Sequence, residues 1–307
     1  MRLLITGAGG FVGRHMAAYA ATRGATVFGI DRAPGALPGV ELLVVDLDDA
    51  TATADAVQVA APHAVIHLAA RTPANSPGLA PQAWLAGTPI ATLNLLEAAR
   101  AHCPGAALLI VSSSSVYGHV PVARLPIAEE YPLQPATMYG VSKAIQELLA
   151  IRYTAECGLR VMRARPFNLL GPGEPRAMLT STLAAQVVAI AAGAQPPVVR
   201  MHHRATSRDF TDVRDAVAAY WAILEHGRPG AVYNVCSGIA TPIGDIVERL
   251  LRLAGVSAVI EETGTPAPGD ILAQAGSPAL LAATAGWHPR FDLDASLRDL
   301  LAALRVV

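Results

Sequence analysis

The chain has 307 residues, about twice a usual domain length, so one large α/β domain or one domain with an added lobe fits. Its 23 basic and 24 acidic side chains leave a net charge of −1, which excludes a general nucleic-acid binder held by phosphate neutralisation. A hydrophobic content of 52% against 15% charged residues excludes a disordered chain and indicates a large buried core.

That apolar content does not predict a membrane span. The long uncharged stretch 177–199 is broken by Thr180, Ser181, Thr182, Gln186 and Gln195 and by the pair Pro196-Pro197. Arg2 precedes an apolar run, but Gly7, Gly9 and Gly10 interrupt it at once, so no secretory leader is read there. Cys103, Cys157 and Cys236 are odd in number and far apart, with no CxxC pair. Neither a disulfide framework nor a zinc site fits, so no metal is expected and reduced thiols in cytoplasm are.

From the N-terminus, short continuous apolar runs at 3–6, 26–30, 42–45, 64–68 and 107–112 read as buried parallel strands. Helical patterns at 11–23, 50–60 and 79–102 lie between them, and another at 138–157 follows the fifth strand. This alternation predicts an α/β fold with a doubly wound parallel sheet, to which 159–165 adds a sixth strand. Beyond Pro166 the rhythm changes, with Pro and Gly clustered at 170–175 and 266–269. Helices at 180–192, 213–226, 243–254 and 293–305 alternate there with strands at 198–200 and 231–235. The division expected is a dinucleotide-binding domain at 1–166 and a smaller substrate lobe at 167–307, with some segments returning to the first domain. Ligands of such sheets bind in the crevice at the carboxyl ends of the strands.

The loop Thr6-Gly7-Ala8-Gly9-Gly10-Phe11-Val12-Gly13 joins the first strand to the first helix. Glycines at 7, 10 and 13 suit a tight turn, close approach to a pyrophosphate and close helix packing, and the helix N-terminus attracts the phosphates. Asp31 closes the second strand, where a carboxylate that binds the ribose is expected. Its charge favours NAD(H), while the neighbouring Arg32 keeps NADP(H) open. The plainer alternatives are a glycine-rich turn without a ligand and a solvated turn carboxylate.

Tyr139 and Lys143 lie at i and i+4, on one helical face. A nearby ammonium stabilises a phenolate, which would make Tyr139 usable as a general acid or base. Such pairs also occur on plain surfaces. The serine run Ser112–Ser115 before Val116-Tyr117-Gly118, at the end of the fifth strand, supplies a hydroxyl opposite, although serines also simply turn a chain.

With these pieces together, the chain resembles the extended short-chain dehydrogenases/reductases, the nucleotide-sugar epimerase/dehydratase/reductase superfamily, over its whole length. The residues that carry the resemblance are the glycine loop, Asp46-Leu47, His67-Leu68-Ala69-Ala70, the serine run, Tyr139-Gly140-Val141-Ser142-Lys143 and Arg165-Pro166-Phe167-Asn168. It implies a catalytic triad of Ser113, Tyr139 and Lys143. It also implies cofactor contacts from Asp46, Leu47, Leu68, Ala69, Ala70, Tyr139, Lys143 and Pro166, and a homodimer through the helices holding 93–101 and 145–153. The second half, with Arg208-Asp209-Phe210 and Asn234-Val235-Cys236-Ser237-Gly238, is most similar to the GDP-4-keto-6-deoxy-mannose reductase branch. That implies hydride delivery to a nucleotide-linked 4-keto-6-deoxy sugar, with substrate contacts from Ser114, Asn168, Arg208 and Asp270.

Three features depart from the family pattern. Ser114 and Ser115 stand where dehydratases carry an acid, so a dehydratase is rejected. Thr88 replaces a usual Asn, and no Arg lies near Pro266. A 4-epimerase, a reductase of a non-sugar carbonyl and a non-catalytic dinucleotide sensor are the alternatives. His202-His203 reads as an exposed loop, His67 as packing beside the cofactor, and Trp84 and Trp287 as core or cleft residues.

Overall fold

The computed structural model describes residues 1–266 and 270–305. Seven parallel strands form its central sheet: β1 (Arg2–Thr6), β2 (Thr26–Asp31), β3 (Val40–Val44), β4 (Ala64–His67), β5 (Ala107–Val111), β6 (Arg160–Pro166) and, after three others, β10 (Val232–Val235). Their spatial order is β3-β2-β1-β4-β5-β6-β10. The order reverses beside β1, which opens the crevice where the glycine loop leaves the sheet. All six strands expected in the first half are present within two residues of the predicted bounds. The chain returns from the second half to add the seventh.

Alternating side chains of β1 separate two cores. Leu3 and Ile5 pack with Met16, Tyr220 and Trp287 on the side of α1 (Phe11–Thr22). Leu4 packs with Leu95, Leu96 and Tyr153 on the other side, under α2 (Ala50–Ala60). The single helix expected over 79–102 is two, α3 (Pro81–Ala86) and α4 (Thr88–His102). They part at Gly87 because Pro89, in the first turn of α4, has no amide to donate to Leu85 O and its ring would clash with it; at Gly87 an added Cβ would lie 2.3 Å from the Arg71 side chain. On the same side, α5 (Met138–Cys157) starts at a Thr137 side-chain cap and stops at Gly158, which has φ +67°.

The second half holds a third core. Helices α6 (Leu179–Ala191), α8 (Ile243–Ala254) and α10 (Leu293–Arg305) enclose Leu183, Val187, Ile246, Leu250, Leu297 and Leu300. Helix α7 (Val213–His226) instead covers the central sheet beside α1, with α9 (Ala279–Ala285) against it. The remaining strands are short: β7 (Asn168–Leu170), β8 (Val198–Met201), β9 (Ser207–Asp212), β11 (Ala240–Pro242), β12 (Val259–Glu262) and β13 (Ala273–Gln274). Strand β9 pairs with β7, β11 and β13.

Of these only β8 was expected; the others lay hidden because they are short or, in β9, mostly polar. Asp209 in the middle of β9 is fully buried, and its carboxylate accepts from Ser237 N, Ser237 Oγ, Gly238 N and Gly276 N at 2.7–3.1 Å. Four donors on one carboxylate make burial tolerable and tie β9 to the turn after β10.

Candidate active site

The carboxyl ends of the central strands open into a cleft of about 980 Å³. Gly7, at φ +70°, has no room for a side chain, since an added Cβ would lie 2.9 Å from Ala69 N; at Gly13 it would lie 2.2 Å from Gly7 O. Gly10 caps α1 without a side-chain bond, and the first turn carries no acid. The amides of Phe11, Val12 and Gly13 therefore begin the helix without intrahelical acceptors, beside a positive dipole end that attracts an anion. Asp31, at the tip of β2, accepts from Gly9 N at 2.9 Å and Ala33 N at 3.3 Å, with Arg32 exposed next to it.

Other expected cofactor residues share this cleft. Leu68, Ala69 and Ala70 follow β4, and Pro166 ends β6. Asp46 Oδ1 turns the chain by accepting from Asp48 N at 3.1 Å, and Leu47 is buried with its carbonyl taking Asn94 Nδ2 at 2.8 Å. His67 is different. Its ring is enclosed by Thr6 Oγ1 at 2.7 Å and Thr92 Oγ1 at 2.9 Å, and burial lowers its pKa to about 3. It is a neutral structural link rather than a cleft residue.

Tyr139 lies in the first turn of α5, where Thr137 Oγ1 accepts from Gly140 N at 3.0 Å. Gly140 lets the helix press against the serine run, since a Cβ there would lie 2.6 Å from Ser115 O. The Ser113 hydroxyl and the Tyr139 phenol line the same part of the cleft, and Ser113 favours the phenolate. Ser113 Oγ also accepts from Ser115 N at 3.1 Å, and Trp84 meets the phenol ring edge-on at 5.9 Å. Lys143 is buried, with Nζ donating to Val111 O at 2.9 Å and lying 6.0 Å from the Tyr139 ring centre.

The expected electrostatics need correction. Burial raises the Tyr139 pKa and the neighbouring Ser113 hydroxyl lowers it, with a net upward shift. The predicted lowering by Lys143 is not seen, because that ammonium is itself desolvated and held on Val111 O. Burial brings the Lys143 pKa down to about 7, while Glu147 acts the other way.

On the far wall, Ser114 Oγ donates to Gln274 Oε1 at 3.3 Å and Gln274 Nε2 donates to Ser114 O at 3.2 Å. Asn168 Nδ2 donates to Asp209 O at 3.1 Å. Arg208 lines the cleft, with its pKa lowered by burial and raised by Asp270. Ala267–Gly269, beside Asp270, lie outside the described residues. His203 is buried, contrary to the exposed loop expected, with the His202 ring tilted against it at 4.4 Å; Trp84 and Trp287 are both buried.

The family model described as "NAD dependent epimerase/dehydratase family" matches residues 3–236. The chain belongs to this family. It is an NAD(P)-dependent oxidoreductase of the extended short-chain dehydrogenase/reductase type. The chain is 36% identical to a GDP-6-deoxy-D-mannose reductase of Pseudomonas aeruginosa, over 98% of this chain and 96% of that one. The solved structure of RMD from Pseudomonas aeruginosa complexed with NADPH is similar at TM-score 0.87 and 35% identity, covering 100% of this chain and 99% of that one. A UDP-glucose 4-epimerase of Thermus thermophilus, in complex with NAD, is similar at TM-score 0.85 and 26% identity, covering 99% of each chain.

For a member of this family, sequence reasoning missed several cleft residues. Arg71 bonds Asp48 at 3.3 Å, and its backbone amide is held by Thr88 Oγ1 at 3.0 Å, which gives the departing Thr88 a task. Gln274 and Glu174 also line the cleft. Only the Gly-Pro-Gly-Glu turn just ahead of α6 could have signalled Glu174. No helix among the described residues is long and apolar enough to cross a membrane.

Proposed function

We propose that this protein reduces a nucleotide-linked 4-keto-6-deoxy sugar to the 4-hydroxy sugar, with NAD(H) as the preferred cofactor. The observation that carries the reading is that Ser113, Tyr139 and Lys143 line the same cleft as the glycine cradle, with the Ser113 hydroxyl acting on the Tyr139 phenol. A dinucleotide suits that cradle. The amides of Phe11, Val12 and Gly13 would hold its pyrophosphate beside Gly7 and Gly10, Asp31 and Arg32 its adenosine ribose, and Asp46 and Leu47 its adenine. Leu68, Ala69, Ala70, Lys143 and Pro166 would flank its nicotinamide end. When bound, it supplies the hydride.

The chain's own groups do the rest. Ser113 Oγ holds the substrate carbonyl oxygen, and Tyr139 Oη gives its proton to that oxygen as negative charge develops there. A raised phenol pKa keeps the proton on Tyr139 until it is needed. Lys143, held on Val111 O beside the phenol, is assigned to the nicotinamide ribose. Ser115, two residues beyond Ser113, offers no carboxylate to expel a C6 hydroxyl, which speaks against elimination. Ser114, Asn168, Arg208 and Asp270 are the substrate contacts in this reading, drawn mainly from 167–307, with the dinucleotide held by 1–166.

Similarity to a GDP-6-deoxy-D-mannose reductase supports the reductase; similarity to an NAD-bound 4-epimerase and the carboxylate of Asp31 favour epimerisation as the second reading. We further place the protein in the cytoplasm, in keeping with its three free cysteines, and as a homodimer. NADH consumption with a nucleotide-linked 4-keto-6-deoxy sugar, with the 4-hydroxy sugar as product, is the expected result. Protein that carries one equivalent of NAD and inverts C4 without added cofactor would replace the reductase by the epimerase.

A further inference from the structure

Behind the cleft, three buried polar side chains form a chain that the chemistry above does not use. The pairing of β1 with β4 ends at Thr6 opposite His67. Past that point Thr6 still holds the next two amides of the segment after β4. Its carbonyl accepts from Leu68 N at 3.2 Å and its hydroxyl from Ala69 N at 3.2 Å. His67 lies behind it, with Nδ1 2.7 Å from Thr6 Oγ1 and Nε2 2.9 Å from Thr92 Oγ1 of α4. Thr6 and Thr92 are fully buried and His67 is 1% exposed.

Proton supply fixes the direction of each bond. Thr92 gives its one hydroxyl proton to Thr88 O at 2.8 Å, and it accepts from Gln146 Nε2 of α5. Towards His67 it can therefore only accept, which puts the ring proton on Nε2. Burial brings the His67 pKa down to about 3, so the ring is neutral and Nδ1 is bare. The Thr6 hydroxyl then donates to Nδ1 and turns its lone pairs to the Ala69 amide. The other tautomer would leave the Thr6 proton with no acceptor among the described residues.

The segment held in this way is a wall of the cleft. Gly7 and Ala69 are pressed together, since a Cβ on Gly7 would lie 2.9 Å from Ala69 N, and both line the cleft with Ala70. We propose that His67 is a positioning residue for the dinucleotide. By taking the Thr6 proton at Nδ1 it fixes the hydroxyl that holds the Ala69 amide, and Thr92 fixes the tautomer that lets it do so. The assignment rests on the cofactor cradle of the reading above and is independent of the identity of the sugar.

The test is titration of the wild type, His67→Asn and His67→Gln with NADH and with NADPH, followed by nicotinamide fluorescence. The unfolding midpoint of each free protein is measured beside it. The side-chain oxygen of asparagine reaches the place of Nδ1 and keeps the bond from Thr6. The side-chain nitrogen of glutamine reaches the place of Nε2 and keeps the bond to Thr92. Each variant loses one of the two ring bonds, so both are expected to unfold at a lower temperature. Affinity for the tighter dinucleotide separates them: it is expected to stay within about twofold of wild type in His67→Asn and to weaken about three- to tenfold in His67→Gln, the worth of one hydrogen bond between uncharged groups. Thr6→Val and Thr6→Ser carry the same test from the other end of the bond, with affinity lost in the first and kept in the second. Equal affinities in the two His67 variants, whether lowered in step with their midpoints or unchanged, would overturn the assignment and leave the cradle standing. A wild type that binds neither dinucleotide would overturn both together.

Discussion

Lys143 is 3% exposed, and its ammonium donates to Val111 O. With a pKa brought down from 10.5 to about 7, the folded chain releases this proton at a lower pH than the unfolded chain does. Between those values the unfolded state binds more protons, so stability rises with pH across the window; below about 7 the penalty is complete. Lys143→Met removes the titration. The wild-type unfolding midpoint in urea, relative to this variant, is expected to climb steadily from neutral to alkaline pH; parallel profiles would contradict the assignment. The pairing of Tyr139 with Lys143 was legible from spacing on a helix, and the position of Ser113 from its place after the fifth strand. The direction of the phenol shift was not, because it depends on burial, which spacing does not report. Glu174 and Arg71 were missed for a related reason: in sequence, a charged loop residue looks the same whether it is solvated or enclosed.

At the scale of elements, strands with continuous apolar runs and helices with clear caps could be read within a residue or two. Helix α5 matches its expected bounds at both ends because Thr137 and Gly158 mark them. The break between α3 and α4 was missed although Gly87-Thr88-Pro89 signals it, since a proline ends the helix ahead of it. Strand β9 was missed because its buried carboxylates obscure any apolar pattern. The outer faces of the α4 and α5 pair carry apolar groups with no cover: Leu148 is 57% exposed, Ile151 43% and Ile90 40%. If a second copy covers them, the protein elutes at twice the chain mass, and Leu148→Glu with Ile151→Glu yields a monomer. A wild type that is monomeric at micromolar concentration would remove the dimer.

Over the whole molecule, the parts of the site are held together from behind. Arg165 is bonded to Glu147 at 2.7 and 2.8 Å and to Tyr117 Oη at 2.9 Å; Tyr117 in turn donates to Asn234 Oδ1 at 2.7 Å. Asn234 is on β10, so this buried network joins α5, β6, the serine run and the returning strand. Its polar groups are satisfied by one another, which lets it stay buried and hold Ser113 opposite Tyr139. The sequence showed each of these segments and not their junction, since partners this far apart in the chain meet only in the fold.

The central claim is that the Tyr139 phenol delivers the proton in a hydride-dependent reduction. The most direct measurement is the turnover of Tyr139→Phe, with NADH affinity and unfolding midpoint measured beside it. The account predicts turnover lower by roughly 10²–10⁴, with both controls unchanged, which is the usual contribution of a positioned proton donor. Near wild-type turnover in a folded variant that still binds NADH would contradict it.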